Sequence, residues 1–132
     1  MVASALVKVP AGRLLLVEDD IGVRRALQLT LEGNGFAVHA FAAADPALAE
    51  PAAMHTSHLV ADYILPDRNG IELLQMLRAK GWCGIAVLIS AFANPETRAI
   101  AKAAGFCAVI DKPFHDECLL AALGIAGVGV MA

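Results

Sequence analysis

Arg13-Leu14-Leu15-Leu16-Val17-Glu18-Asp19-Asp20 is the stretch on which the reading of this chain turns. Four aliphatic residues, Leu14 to Val17, run without a polar break, as in a strand buried on both faces of a parallel sheet, and then meet three acids. Three other stretches share the design. His58-Leu59-Val60-Ala61 meets Asp62, Ile85-Ala86-Val87-Leu88-Ile89 meets the hydroxyl of Ser90, and Ala108-Val109-Ile110 meets Asp111 and Lys112-Pro113. If these are parallel strands of one sheet, their carboxyl ends lie along one edge. Ligands of open α/β sheets bind in the crevice outside that edge. Acids, a hydroxyl and an ammonium brought together there suit a divalent cation and a phosphoryl group.

Between these stretches lie helical patterns. Asp20 to Glu32 places Val23, Ala26, Leu27, Thr30 and Leu31 on one face, with Asp20 as cap and Gly33-Asn34-Gly35 as stop. Phe36 to Phe41 reads as a second strand. Ala43 to Ala53 reads as a weak helix limited by Pro46 and Pro51. Pro66-Asp67-Arg68-Asn69-Gly70 is a turn-forming loop, followed by a helix from Ile71 to Lys80 that buries Ile71, Leu74 and Leu77. Asn94-Pro95-Glu96 has the order of a helix start, and that helix should end at Gly105. Phe106 to Ile110 is expected to be the fifth strand, and a last helix opens at His115 or Asp116 and carries Leu119, Leu120 and Leu123. Alternating strands and helices with short connections predict an α/β domain, a five-stranded parallel sheet covered on both faces. The expected organisation is an extension over residues 1–12, one domain over 13–124 and an apolar tail over 125–132.

The bulk numbers exclude several classes. With 132 residues the chain suffices for one core, and 58% apolar against 17% charged residues is not a disordered composition. A net charge of −3 with scattered basic residues gives no electrostatic footprint for nucleic acid. Cys83, Cys107 and Cys118 lack metal-type spacing and read as reduced thiols, consistent with a cytoplasmic protein. Leu119 to Ala132 is uncharged over 14 residues, short of the roughly 20 that span a membrane. No phosphate-binding loop of the G-x-x-x-x-G-K-[ST] type is present.

Taken singly, each polar residue has a plain reading. Asp62 could cap a helix or pair with Arg68, Asp20 caps, Glu18 and Asp19 are solvated, and Lys112 is a surface lysine. Taken together, they fall repeatedly at strand ends. Clustered carboxylates repel by about 1–4 kcal/mol per pair, and a Mg²⁺ ion relieves that by taking carboxylate oxygens and waters. A remaining acid can then attack phosphorus to form an acyl phosphate, with Lys112 and Ser90 on the phosphoryl oxygens. Phosphoryl transfer of this kind runs on positioning and charge neutralisation.

The segments LLLVEDD, LVADYILPDRNG, VLISA and VIDKPF, in this order and spacing, resemble the receiver domain of two-component response regulators over roughly residues 13 to 124. The resemblance implies a flavodoxin-like fold with strand order 2-1-3-4-5 and a phosphoryl group taken from a histidine kinase or a histidine phosphotransfer protein. It implies a signalling domain rather than an enzyme on other substrates. By position, Asp62 matches the phosphoacceptor, Asp19 the direct Mg²⁺ ligand, Glu18 the second acid acting through water, and the backbone carbonyl of Ile64 the third protein ligand. Ser90 matches the switch hydroxyl and Lys112 the lysine before a proline whose bond is often cis.

Three departures accompany it. The aromatic residue usual three positions before the lysine is Val109, so a ring cannot rotate toward Ser90; Phe92 and Phe114 are the candidates to stand in for it structurally. Ile64 and Phe92 occupy the two positions that flank the hydrolytic water, which implies slow self-dephosphorylation. The sequence ends after the fifth helix, so output is expected to run through another protein, at the face of helix 4, strand 5 and helix 5, or through a second copy. The apolar tail residues Ile125, Val128, Val130 and Met131 form either such a patch or a disordered end. Ile21 and Arg24-Arg25 sit where relatives meet their kinase. The rival readings are a receiver-like interaction module that works without phosphorylation and a haloacid-type phosphohydrolase. The latter wants an Asp where Ile64 stands.

Overall fold

A computed structural model describes residues 12–91 and 93–124; the expected extension and tail, and Phe92, lie outside them apart from Gly12. Five strands, β1 (Gly12–Val17), β2 (Phe36–Phe41), β3 (His58–Asp62), β4 (Ile85–Ser90) and β5 (Ala108–Asp111), alternate with five helices, α1 (Ile21–Gly33), α2 (Ala44–Ala49), α3 (Gly70–Ala79), α4 (Pro95–Ala104) and α5 (Asp116–Ala122). The sheet is parallel throughout, in the order β2-β1-β3-β4-β5. It is the parallel, two-faced sheet expected from the strand pattern, in the flavodoxin-like order that the resemblance implies.

The alternation of the buried runs explains the two layers. Leu15, Val17, Leu59, Ala61, Ala86 and Leu88 point to one face, where α2, α3 and α4 supply Ala44, Leu73, Leu74, Leu77 and Ala101. Leu14, Leu16, Val60, Val87 and Ile89 point to the other, against Leu27 and Leu31 of α1 and Leu119, Leu120 and Leu123 around α5. Because both faces are covered, the central strands need apolar residues at every position rather than every second one.

Capping sets the helix starts. Asp20 accepts from the Val23 N–H at 2.9 Å, Asn94 from the Thr97 N–H at 2.7 Å, and Asn69 with Glu72 forms a reciprocal capping box. Several boundaries differ from the sequence expectation, three of them for a clear reason or at the site. The helix expected over residues 43–53 ends at Ala49, because Glu50, which precedes Pro51, is held extended; Pro51–His55 forms a 3₁₀ turn instead. Strand β5 starts at Ala108 rather than Phe106. Gly105 adopts a left-handed conformation at φ 116°, and the Phe106 N–H returns to the Ala101 carbonyl at 3.1 Å. Phe106 therefore closes α4 before the strand begins. Helix α3 begins at Gly70, one residue before the expected start.

Candidate functional site

The carboxyl ends of β1, β3, β4 and β5 deliver their polar residues to one crevice. Lys112, just past β5, donates from Nζ to Asp62 Oδ2 at 2.7 Å and to Glu18 Oε1 at 2.9 Å. One carboxylate oxygen from each of Glu18, Asp19 and Asp62 lies within 4.8 Å of the others. Glu18 is wholly buried, Asp62 and Ser90 nearly so, while Asp19 opens to solvent. Three acids converging on one cation-sized space, one of them exposed, fit a hard divalent ion that keeps several of its waters.

Glu18 and Asp62 are held from behind. Glu18 Oε2 accepts the Asp20 N–H at 3.0 Å, and Asp62 Oδ1 accepts the Ile64 N–H at 3.2 Å. Arg24 donates to the carbonyls of Glu18 at 2.9 Å and of Asp19 at 3.4 Å, fixing the loop between β1 and α1. Ser90 pairs in register with Asp111, and its carbonyl accepts the Lys112 N–H at 2.7 Å. The Lys112-Pro113 bond is cis.

Burial raises the pKa of Glu18; the hydrogen bond from Lys112 opposes this and the charge of Asp62 adds to it. Burial alone would depress Lys112, but its hydrogen bonds to Asp62 and Glu18 outweigh that and raise its pKa. The ammonium is thus charged at neutral pH and offers its hydrogens to whatever occupies the crevice.

All six residues singled out in the sequence lie at this edge: Glu18, Asp19, Asp62, Ser90 and Lys112 at strand ends, and Ile64 in the loop after β3. The suggested Arg68–Asp62 pair is not formed; Arg68 pairs with Asp45 at 2.7 Å. The Ile64 side chain is 69% exposed beside the acid two positions earlier. Val109 is half-buried against the core and its carbonyl accepts from Arg98 at 3.1 Å. Arg98 also pairs with Asp111. Next to Val109 lies a groove of about 570 Å³ lined by Pro95, Arg98, Ala99, Lys102, Cys107 and Ala108.

Two contributions to the crevice were not read from the sequence. A Cβ on Gly70 would sit 2.4 Å from the Asp62 carbonyl oxygen, so only glycine lets α3 start this close to the acid. Arg24 was read only as lying where relatives meet their kinase, and its reach back by five or six positions is set by the turn into α1. A motif-length reading sees neither contact.

A doubly wound sheet with an acidic crevice and a bridging lysine at its carboxyl edge is the architecture of a receiver-type signalling domain. The model of the response regulator receiver domain matches residues 14–124, and the chain belongs to this family. It is 33% identical over 114 residues to the KDP operon transcriptional regulatory protein KdpE of Escherichia coli, covering 86% of this chain and 50% of KdpE. It is 31% identical over 117 residues to the transcriptional regulatory protein FixJ of Rhizobium meliloti, covering 89% and 57%. The chain thus spans about half the length of these curated relatives. Among solved structures it resembles the non-phosphorylated HemR receiver domain of Leptospira biflexa (31% identity, TM-score 0.76, 89% and 93% covered). It also resembles a CheY-like receiver domain protein of Methanospirillum hungatei (27%, TM-score 0.78, 86% and 90%). Receiver domains of this class accept phosphoryl groups and interact with histidine kinases and downstream effectors. Among the described residues, no helix is long and apolar enough to cross a membrane.

Proposed function

We infer that this chain accepts a phosphoryl group on Asp62 from a histidine kinase or histidine phosphotransfer protein. The observation that carries this reading is the Lys112 ammonium bridging Asp62 and Glu18 at 2.7 and 2.9 Å beside Asp19. Asp19, Asp62 and the Ile64 carbonyl would hold Mg²⁺ directly, with Glu18 acting through water. When bound, the ion neutralises charge on the phosphoryl oxygens. An Asp62 oxygen attacks phosphorus, the P–N bond to the donor imidazole breaks, and that imidazole leaves with the bonding pair. Lys112 and Ser90 hold the oxygens of the transferred group.

Ile21, 70% exposed at the start of α1, together with Arg25 forms the expected kinase contact. Output runs through the α4–β5–α5 face, to another protein or a second copy, in the cytoplasm. A charge reversal at Arg25 should slow transfer from the kinase; unchanged rates would remove it from that contact.

Incubation with acetyl phosphate and Mg²⁺ should add one phosphoryl group by intact mass, lost in Asp62→Ala and without the metal. A second reading is favoured by one observation, Val109 in place of the usual ring: an interaction module that signals unphosphorylated. Failure of the adduct to form while Mg²⁺ binds would select it.

A further inference from the structure

The loop after β3 carries a second acid whose contacts run away from the crevice. Asp67 Oδ1 accepts the Ala44 N–H at 3.0 Å and Oδ2 accepts the Asp45 N–H at 2.7 Å. These are the free amides at the start of α2, and Ala43, the residue in the cap position, supplies no side-chain bond. Asp67 thus caps a helix more than twenty positions earlier in the chain. Next to it, Arg68 Nε donates to Asp45 Oδ1 at 2.7 Å.

The anchored element is itself fixed. Ala44 and Ala47 are fully buried, and the Leu48 carbonyl accepts from Lys80 Nζ at 3.4 Å. Three residues before α2, the Phe41 carbonyl accepts the Glu18 N–H at 3.0 Å. A closed circuit results. The acid-bearing end of β1 is tied to the end of β2, the start of α2 to Asp67, and Asp67 through a short loop to Ile64 and Asp62. Ile64 and Asn69 pair across that loop as an isolated antiparallel bridge, so a displacement at Asp67 is passed to Ile64 rather than absorbed.

We propose that Asp67 is a positioning residue that, through its two bonds to the start of α2, sets the distance between the Ile64 carbonyl and the acids of β1. Asp67 is not among the acids that converge in the crevice. The inference rests on the reading that Mg²⁺ binds among Glu18, Asp19, Asp62 and the Ile64 carbonyl. Losing the two capping bonds lowers stability in either role, so Mg²⁺ affinity rather than stability separates positioning from a structural role.

The test is calorimetric titration of Mg²⁺ into the wild type, Asp67→Ala and Asp67→Asn, with urea unfolding of each. About 1 M KCl, where the screening length is about 3 Å, removes the long-range effect of the lost charge. Asp67→Ala should weaken Mg²⁺ binding about tenfold, the lower end for loss of an outer-shell partner. Asp67→Asn keeps one acceptor oxygen and should fall between; it decides the matter if the alanine variant does not fold. Affinities within about twofold of the wild type, with only the unfolding midpoint lowered, would make Asp67 a helix cap and overturn the proposal alone. A wild type without saturable Mg²⁺ binding would overturn the reading of the site, and this inference with it.

Discussion

At the scale of the residue, the site depends on three acids gathered around one lysine in a largely buried crevice. Glu18 is inaccessible to solvent and stays compatible with the fold because Lys112 and the Asp20 N–H serve both of its oxygens. Ile64 is the residue-scale departure with a measurable consequence. An isoleucine beside Asp62 cannot orient a water for attack on an acyl phosphate, so Ile64→Asn should speed loss of the phosphoryl group several-fold without changing Mg²⁺ affinity. The decay of phosphoprotein after removal of donor measures this; an unchanged lifetime would assign the slow step elsewhere. The acids and Lys112 were legible in the sequence because each ends an apolar run, and chain direction alone puts those ends on one edge. Asp67 and Arg24 were not, because their partners are chosen by where loops fold back rather than by spacing.

At the scale of the element, helix α3 is what holds Asp62 against the sheet. Asn69 and Glu72 close its first turn, the Gly70 N–H donates to the Tyr63 carbonyl at 2.8 Å, and Leu73, Leu74 and Leu77 anchor it in the core. Asn69→Ala should cost about 1 kcal/mol, the usual value of an N-cap. Gly70→Ala should cost about 1–3 kcal/mol, as overpacking does, since its Cβ meets backbone and the side chain of Leu88. It should also slow phosphorylation, because the backbone displaced is that of Asp62. Chemical unfolding together with acetyl-phosphate labelling separates the two; a destabilised Gly70→Ala that labels at the wild-type rate would show the contact to be structural only. Sequence pattern located every strand and helix, and it failed where backbone chemistry overrode hydrophobicity. Phe106 and Cys107 read as strand, yet a left-handed Gly105 keeps Phe106 bonded to α4.

At the scale of the whole molecule, the edge opposite the crevice is closed by His58. Its Nε2 lies 3.0 Å from the Leu123 carbonyl, to which it donates, and Nδ1 lies 2.7 Å from Ser57 Oγ. Phe36 packs edge-on against the ring. The start of β3 is thereby joined to the end of α5. Burial pushes the His58 pKa down, partly offset by the bond to Leu123. Between its lowered folded value and the ordinary value of about 6.5, the unfolded chain binds the proton and the folded chain does not. Stability from this group is therefore full above about pH 6.5 and falls as pH drops through that window. Urea unfolding at about pH 7.5 and 5.5 should show this loss in the wild type and a flatter dependence in His58→Gln; equal slopes would remove His58 as its source.

On the proposed function, the crevice places one phosphoryl group on one carboxylate. The most direct test of this claim is to phosphorylate the protein with acetyl phosphate and Mg²⁺, reduce the product with borohydride, and map the modified residue by peptide mass. Reduction of an aspartyl phosphate leaves homoserine, and the expected result is homoserine at position 62 alone. Homoserine at Asp19 or Asp20 instead, or no conversion in protein that binds Mg²⁺, would contradict the claim.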